Sequence, residues 1–136
     1  MQKITREIAL RALNEAVKAK GYNHVYERGP VDGCYNVTLD GDPDCIVGTA
    51  LIWLGVPAQW FLESDETFGG SRRGVGAGVV CNMLYRSELF DVDEEAADLF
   101  RDVQVYQDQG VAWGEAVTRA HLGRDVFDDM RLFENR

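Results

Sequence analysis

Residues 42–55 decide the fold, and their sequence is Asp42-Pro43-Asp44-Cys45-Ile46-Val47-Gly48-Thr49-Ala50-Leu51-Ile52-Trp53-Leu54-Gly55. Asp42 suits a helix N-cap, Pro43 suits the first helical position, and Gly55 suits a C-terminal stop. Between them almost every residue is apolar, and a helix without a polar face is buried on most sides. The stretch therefore predicts a central helix over residues 43–54. Gly48 in its middle costs roughly 1 kcal/mol relative to alanine, which predicts that another backbone approaches closely there.

Helical patterns flank this central stretch on both sides. Residues 5–20 carry apolar side chains at helical spacing, with Thr5 as an N-cap and Gly21 as the terminator. The same spacing predicts one helix over residues 91–106 and a shorter one over residues 113–120. The chain is therefore expected to be mostly helical.

The segment after the first helix has a different composition. Strand-forming residues at 24–27 and 35–39 flank a turn at 29–33. This arrangement predicts a small antiparallel β-hairpin at about 23–39. The predicted fold class is α+β, with four or five helices around the central helix and the hairpin at one edge. A chain of 136 residues suits one domain, residues 1–136.

Acidic residues outnumber basic ones by 23 to 14, which gives a net charge of −9. A field of this sign repels nucleic-acid phosphates and anionic lipid, so direct binding to nucleic acid or a membrane is disfavoured. It favours a protein partner with a basic surface. Residues 124–136 are expected to form a C-terminal docking or partner-binding helix. The candidate partner contacts are acidic residues and apolar residues of this tail: Asp93, Glu94, Glu95, Asp128, Asp129, Phe127, Met130 and Phe133.

An acidic and glycine-rich segment, residues 62–78, is predicted to be a flexible loop. It contains the only adjacent basic pair of the chain, Arg72 and Arg73, followed by Gly74 and Gly76. Backbone N–H groups and two guanidinium groups could hold an anion such as a nucleotide. The segment lacks the lysine and hydroxyl residue of a P-loop and the G-x-G-x-x-G pattern of dinucleotide-binding folds. A functionally silent loop and an anion-binding pocket both remain open.

The three cysteines, Cys34, Cys45 and Cys81, are odd in number and widely spaced. This argues against a disulfide framework and for a reducing compartment. Together with His24 and His121 they show no zinc-ligand spacing, so neither a metal nor a cofactor is expected. No targeting segment and no membrane-spanning apolar run is visible, and the expected location is the cytoplasm.

Cys45 also has a catalytic interpretation. The first turn of a helix favours a thiolate. The pair Asp44-Cys45 before an apolar helix resembles the nucleophile turn of papain-like and NlpC-type cysteine hydrolases, where His121 would be the base. His121, however, follows a predicted helix rather than a strand, and Asp42 and Asp44 oppose a thiolate. A buried, inert Cys45 is the alternative, and the chain is interpreted as non-enzymatic.

Two segments together resemble a family of small uncharacterised proteins of actinobacteria and their phages. Residues 45–55 follow the pattern C-x-V-G-x-A-L-x-x-L-G, and residues 104–117 follow Q-x-x-Q-D-x-G-x-x-W-G-E-A-V. We expect a protein that binds a host protein in the bacterial cytoplasm, and the resemblance implies that it is phage-encoded or phage-related. It implies no activity, and the glycine-rich loop and the tail after Gly123 lie outside it. A homodimer remains open.

Overall fold

The computed structural model describes residues 1–27, 34–65 and 70–123. These residues form four strands, six α-helices and one 3-10 turn. In chain order they are β1 (Gln2–Ile4), α1 (Arg6–Lys20), α2 (Ile46–Trp53), α3 (Ala58–Leu62), β2 (Ser64–Asp65), β3 (Gly70–Ser71), the 3-10 turn (Arg72–Gly74), α4 (Ala77–Arg86), β4 (Phe90–Val92), α5 (Glu94–Asp108) and α6 (Trp113–His121). The mostly helical character is confirmed, and the short strand pairs are consistent with the α+β class.

Helix α1 forms as its sequence predicts. The Thr5 hydroxyl accepts a hydrogen bond from the Ile8 N–H at 3.3 Å, which satisfies one of the free donors of the first turn. Gly21 ends the helix with a φ of +101°, a conformation that glycine adopts without steric cost.

Helix α2 starts later than predicted. Its N-cap is Cys45 rather than Asp42, because Pro43 forms an antiparallel bridge with Val37 and therefore stays extended. Six of its eight residues are buried, as its apolar composition predicts. Trp53 at its C-terminal end is 47% exposed, so α2 has one solvent-facing edge.

The antiparallel hairpin predicted at about 23–39 is wrong, because its backbone groups find other partners. The carbonyl groups of Tyr22 and His24 accept hydrogen bonds from the N–H groups of Gly114 and Trp113, at 2.9 and 2.8 Å. The segment after Cys34 pairs instead with the residues that precede α2. Backbone groups need only one partner each, so these contacts replace the hairpin ladder.

The sheet that does form is parallel and joins distant parts of the chain. Strand β1 pairs with β4, with Gln2 opposite Phe90 and Ile4 opposite Val92. Parallel strands run in the same direction, so the helices that follow them, α1 and α5, begin at the same end of the molecule. A second, antiparallel pair joins the two-residue strands β2 and β3.

Helix α5 occupies the middle of the helical packing. It contacts α1, α2, α4 and α6, whereas α2 packs mainly against α1 and α5. The largest fully buried side chains include Trp113 and Tyr106, from α6 and α5, and Phe61 from α3. Helix α5 is therefore at the centre of the core. Helix α2, which the sequence predicted to be central, packs on one side of α5.

Candidate functional site

The most unusual part of the interior is a polar cluster around two cysteines. Among the described residues the buried polar side chains are those of Asn36, Thr49, Gln104 and Gln107. Three of these four direct a side-chain amide at the sulfur of Cys34 or Cys45. Buried amides require partners for all their polar atoms, so their contacts define the site. We call Cys34, Cys45, Asn36, Gln104 and Gln107 the thiol centre.

The two glutamines of α5 hold Cys34 from one side. Gln104 Oε1 accepts from the N–H of Ala77 at 2.7 Å, and Gln107 Oε1 accepts from the N–H of Ile46 at 2.8 Å. Ala77 and Ile46 are the first residues of α4 and α2, where backbone donors lack helical partners. With the oxygens turned towards these helix ends, both Nε2 groups point to Cys34 Sγ, each at 3.3 Å.

Asn36 holds Cys45 in a similarly fixed orientation. Its Nδ2 donates to the carbonyl oxygens of Arg72 and Val75, both at 3.1 Å. Its Oδ1 therefore faces Cys45 Sγ at 3.5 Å and accepts a hydrogen bond from the thiol. The same sulfur accepts from the Gly48 N–H at 3.4 Å as the N-cap of α2.

The two thiols consequently differ in acidity. The neighbouring Cys45 thiol, followed by the amides of Gln104 and Gln107, lowers the pKa of Cys34, against burial and the nearby Asp108. Burial, followed by the adjacent Cys34, raises the pKa of Cys45 well above its usual range. The arrangement thus favours a thiolate on Cys34 and a protonated thiol on Cys45.

The expected burial of Cys45 is confirmed, since its exposed fraction is 0%. His121 is exposed at the C-terminal end of α6. Within the described residues the hydrogen bonds of the Cys45 sulfur go to Asn36 and Gly48, not to His121. The structure does not bring this pair into the contact that a cysteine hydrolase requires.

The two arginines of the predicted anion site lie against the protein itself. The Arg72 guanidinium stacks 4.4 Å from the ring centre of Trp60 and donates to the Trp60 carbonyl at 3.2 Å. Arg73 stacks 4.1 Å from the ring centre of Tyr35 and donates to the Val37 carbonyl at 2.9 Å. Both guanidinium groups therefore connect the 3-10 turn after β3 to the segments around Trp60 and Tyr35.

The glycines of that predicted site lie between this turn and α4. Gly74 is the last residue of the 3-10 turn, and Gly76 is the N-cap of α4. Residues 66–69 of the predicted flexible loop lie outside the described part of the chain. Anion binding at this loop stays a prediction.

The acidic residues at the start of α5 differ in their contacts. Asp93 is the N-cap and lies 3.4 Å from Lys3, with no capping hydrogen bond from its side chain. Glu94 and Glu95 are exposed in the first turn, and neither forms an ion pair with a described residue. The other predicted partner contacts lie outside the described residues: Asp128, Asp129, Phe127, Met130 and Phe133.

A surface cleft of about 490 Å³ lies beside the segment that leads into α2. The Tyr26 hydroxyl in its wall donates to Asp44 at 3.2 Å and accepts from the Tyr35 N–H at 3.2 Å. Burial is the main cause that raises the pKa of Tyr26. Within residues 1–27, 34–65 and 70–123 no three His, Cys, Asp or Glu side chains form a metal-binding group, and no helix there is long and apolar enough to cross a membrane.

The amides of the thiol centre were not among the residues predicted from sequence. Gln104 and Gln107 lie three positions apart and belong to the buried face of α5, next to Val103 and Tyr106. Two glutamines on an apolar helical face are a signal of buried polar contacts, because such side chains need partners. Asn36 carries no comparable signal, since its burial depends on the approach of α2.

Comparison of the chain with protein-family models, with curated proteins and with solved structures found no match.

Proposed function

We propose that this protein is a non-enzymatic interaction protein that binds the basic surface of a host protein. The observation that carries this proposal is the exposure of Glu94 and Glu95, which have no basic partner among the described residues. Desolvating an exposed carboxylate is costly unless a cation replaces its water. A lysine-rich or arginine-rich surface supplies that cation.

The topology places a third exposed carboxylate at this end of the molecule. Because β1 and β4 are parallel, the first turns of α1 and α5 lie at the same end, and the first turn of α1 carries the exposed Glu7. We call Glu7, Glu94 and Glu95 the acidic end. Part of its charge compensates the positive ends of the two helix dipoles. The net charge of −9 supplies a further long-range field that steers a basic partner.

The proposal is tested on a partner captured from a bacterial host lysate. Its association rate with the full chain should fall as salt rises, because exposed charges are screened beyond about 8 Å at physiological ionic strength. The double variant Glu94→Lys with Glu95→Lys should lower the association rate roughly tenfold at low salt, with a smaller change in dissociation. Stopped-flow or surface plasmon resonance measures both rates.

Glu88→Lys is the matched control. Glu88 is also exposed, and it precedes β4 whereas the acidic end follows that strand. The control should bind like the unmodified protein. Equal slowing in both variants would show a general charge effect, and unchanged rates in Glu94→Lys with Glu95→Lys would contradict the proposal.

The anion-pocket alternative predicts the opposite pattern. Arg72→Ala with Arg73→Ala would then abolish binding of a small anion, while the acidic variants would bind it normally. Because both arginines donate to backbone carbonyls, circular dichroism must show that the variant remains folded. Retention of partner binding in this variant supports the acidic end as the interface.

A further inference from the structure

We propose that Cys34 is a hydroperoxide-reactive thiol and that Cys45 converts its oxidised form into a Cys34–Cys45 disulfide. This inference is independent of the proposed interaction with a basic partner. It rests on the geometry of the thiol centre, which orients donors towards one sulfur and an acceptor towards the other.

Cys34 Sγ accepts hydrogen bonds from two side-chain amides. The Gln104 and Gln107 amides cannot present oxygen to this sulfur, because both Oε1 atoms are held by the N–H groups of Ala77 and Ile46. Two N–H donors therefore converge on Cys34 Sγ at 3.3 Å. Donors of this kind stabilise a thiolate, which is the nucleophilic form of cysteine.

Cys45 lies beside the segment that carries Cys34. The Cys45 N–H donates to the carbonyl of Tyr35 at 2.8 Å, which holds Cys45 against the residue that follows Cys34. The Gln107 side chain links the two sites, because its Oε1 accepts from the N–H of Ile46, the residue after Cys45, and its Nε2 donates to Cys34 Sγ. The Cys45 thiol donates a hydrogen bond to Asn36 Oδ1 at 3.5 Å. A second thiol next to a reactive thiolate is the arrangement that resolves a sulfenic acid.

The chemistry balances with a hydroperoxide as the only oxidant. The Cys34 thiolate attacks one peroxide oxygen, the O–O bond breaks, and the leaving hydroxide takes a proton to become water. Cys34 is then a sulfenic acid. The Cys45 sulfur attacks Cys34 Sγ, the S–O bond breaks, and the leaving hydroxide takes the Cys45 proton and departs as a second water. Two thiols and one hydrogen peroxide thus give one disulfide and two waters.

Access distinguishes Cys34 from the other cysteines. Cys34 is partly exposed, whereas Cys45 and Cys81 are buried. Burial raises the pKa of Cys81 to about 12, so this thiol stays protonated at neutral pH and reacts slowly. Cys81 is therefore an internal reference for an unactivated thiol in the same protein.

The experiment treats the reduced full chain with hydrogen peroxide, blocks the remaining thiols with N-ethylmaleimide, and identifies the products by mass spectrometry. We expect two thiols to be lost together, a Cys34–Cys45 disulfide peptide, and unmodified Cys81. In Cys45→Ala, dimedone should trap a sulfenic acid on Cys34 instead. Cys81→Ala should react like the unmodified protein.

Gln104→Glu tests whether the amide donor matters beyond packing. This substitution keeps an oxygen for the Ala77 N–H but removes the donor to Cys34 and adds a negative charge beside the sulfur. The oxidation rate of Cys34 at neutral pH should fall by roughly tenfold, because less thiolate is present. Gln59→Glu, the same change at an exposed position of α3, is the control and should leave the rate unchanged.

Three results would overturn the proposal. One is oxidation of Cys34 no faster than that of Cys81. Another is a product that joins Cys34 to Cys81 or to a second chain while Cys45 remains free. The third is an unchanged oxidation rate of Cys34 in Gln104→Glu, with a circular dichroism spectrum identical to that of the unmodified protein. This result would show that the glutamines only accept hydrogen bonds from the helix N-termini.

Discussion

Gly48 shows how one residue determines the approach of two segments. A Cβ atom built there would collide with the backbone carbonyl of Asn36. The close backbone approach predicted from the glycine is therefore confirmed, although the approaching backbone is an extended segment rather than a helix. The same approach places Asn36 Oδ1 beside Cys45, so the absence of one side chain is a condition for the thiol centre.

We expect Gly48→Ala to destabilise the protein by about 1–3 kcal/mol, because overpacking against backbone outweighs the helix propensity gained. Gly78→Ala is the matched control, since Gly78 also lies in a helix and a Cβ there meets nothing within 4 Å. It should be neutral or stabilising by up to about 1 kcal/mol. Urea denaturation measures both, and equal midpoints for the two variants would contradict the packing at Gly48.

The free backbone N–H groups at the helix N-termini of this protein find hydrogen-bond acceptors in two ways. Helix α1 uses the local cap that its sequence predicts, Thr5. The N-cap of α4 is Gly76, which has no side chain, and Gln104 of α5 supplies the acceptor for its first residue. Capping from a distant helix fixes the position of α4 relative to α5 as well as satisfying the helix end.

The two helices that follow the parallel strands offer a direct comparison of N-caps. Thr5→Ala should cost about 1 kcal/mol, because the Thr5 hydroxyl accepts a hydrogen bond from Ile8. Asp93→Ala should cost less, because Asp93 makes no capping hydrogen bond and its pair with Lys3 is largely exposed. Thermal and urea denaturation report the difference. The reverse order would mean that the charge of Asp93, rather than hydrogen bonding, dominates at these caps.

The tryptophans of the described residues report the packing of the whole molecule. Trp113 is completely buried, Trp60 is 6% exposed, and Trp53 is 47% exposed. Trp113 is also held by the chain before it, since its backbone N–H donates to the His24 carbonyl and its ring meets that of His24 edge to face at 4.6 Å. Burial of this side chain depends on the contact of residues 22–24 with α6.

Trp53→Phe should therefore remove most of the acrylamide quenching of tryptophan fluorescence and shift the remaining emission to shorter wavelength. The reason is that only Trp53 presents much of its ring to water. Trp60→Phe is the control and should leave quenching almost unchanged. If Trp53→Phe remains strongly quenched, α6 or α3 is not packed as described.

The sequence by itself determined the local features of this protein. The spacing in residues 5–20 and its Thr5 cap predicted α1, and the apolar composition of residues 45–54 predicted a buried helix. Both signals arise from interactions within one helix or from the exclusion of one segment from water. The acidic charge, and with it the prediction of a basic partner, also follows from composition alone.

Only the tertiary structure decided the strand pairing and the thiol centre. The predicted hairpin was local, whereas the sheet joins β1 to β4, nearly ninety residues later. Gln107 forms hydrogen bonds with Ile46, which is 61 positions away in the sequence, and with Cys34, which is 73 positions away. Contacts of this kind leave no periodic pattern, because they depend on which segments the packed helices bring together. The difference in acidity between Cys34 and Cys45 is therefore a property of the folded chain. Burial raises the pKa of Cys45, whereas the neighbouring Cys45 thiol, and after it the amides that two helix N-termini orient, lower the pKa of Cys34.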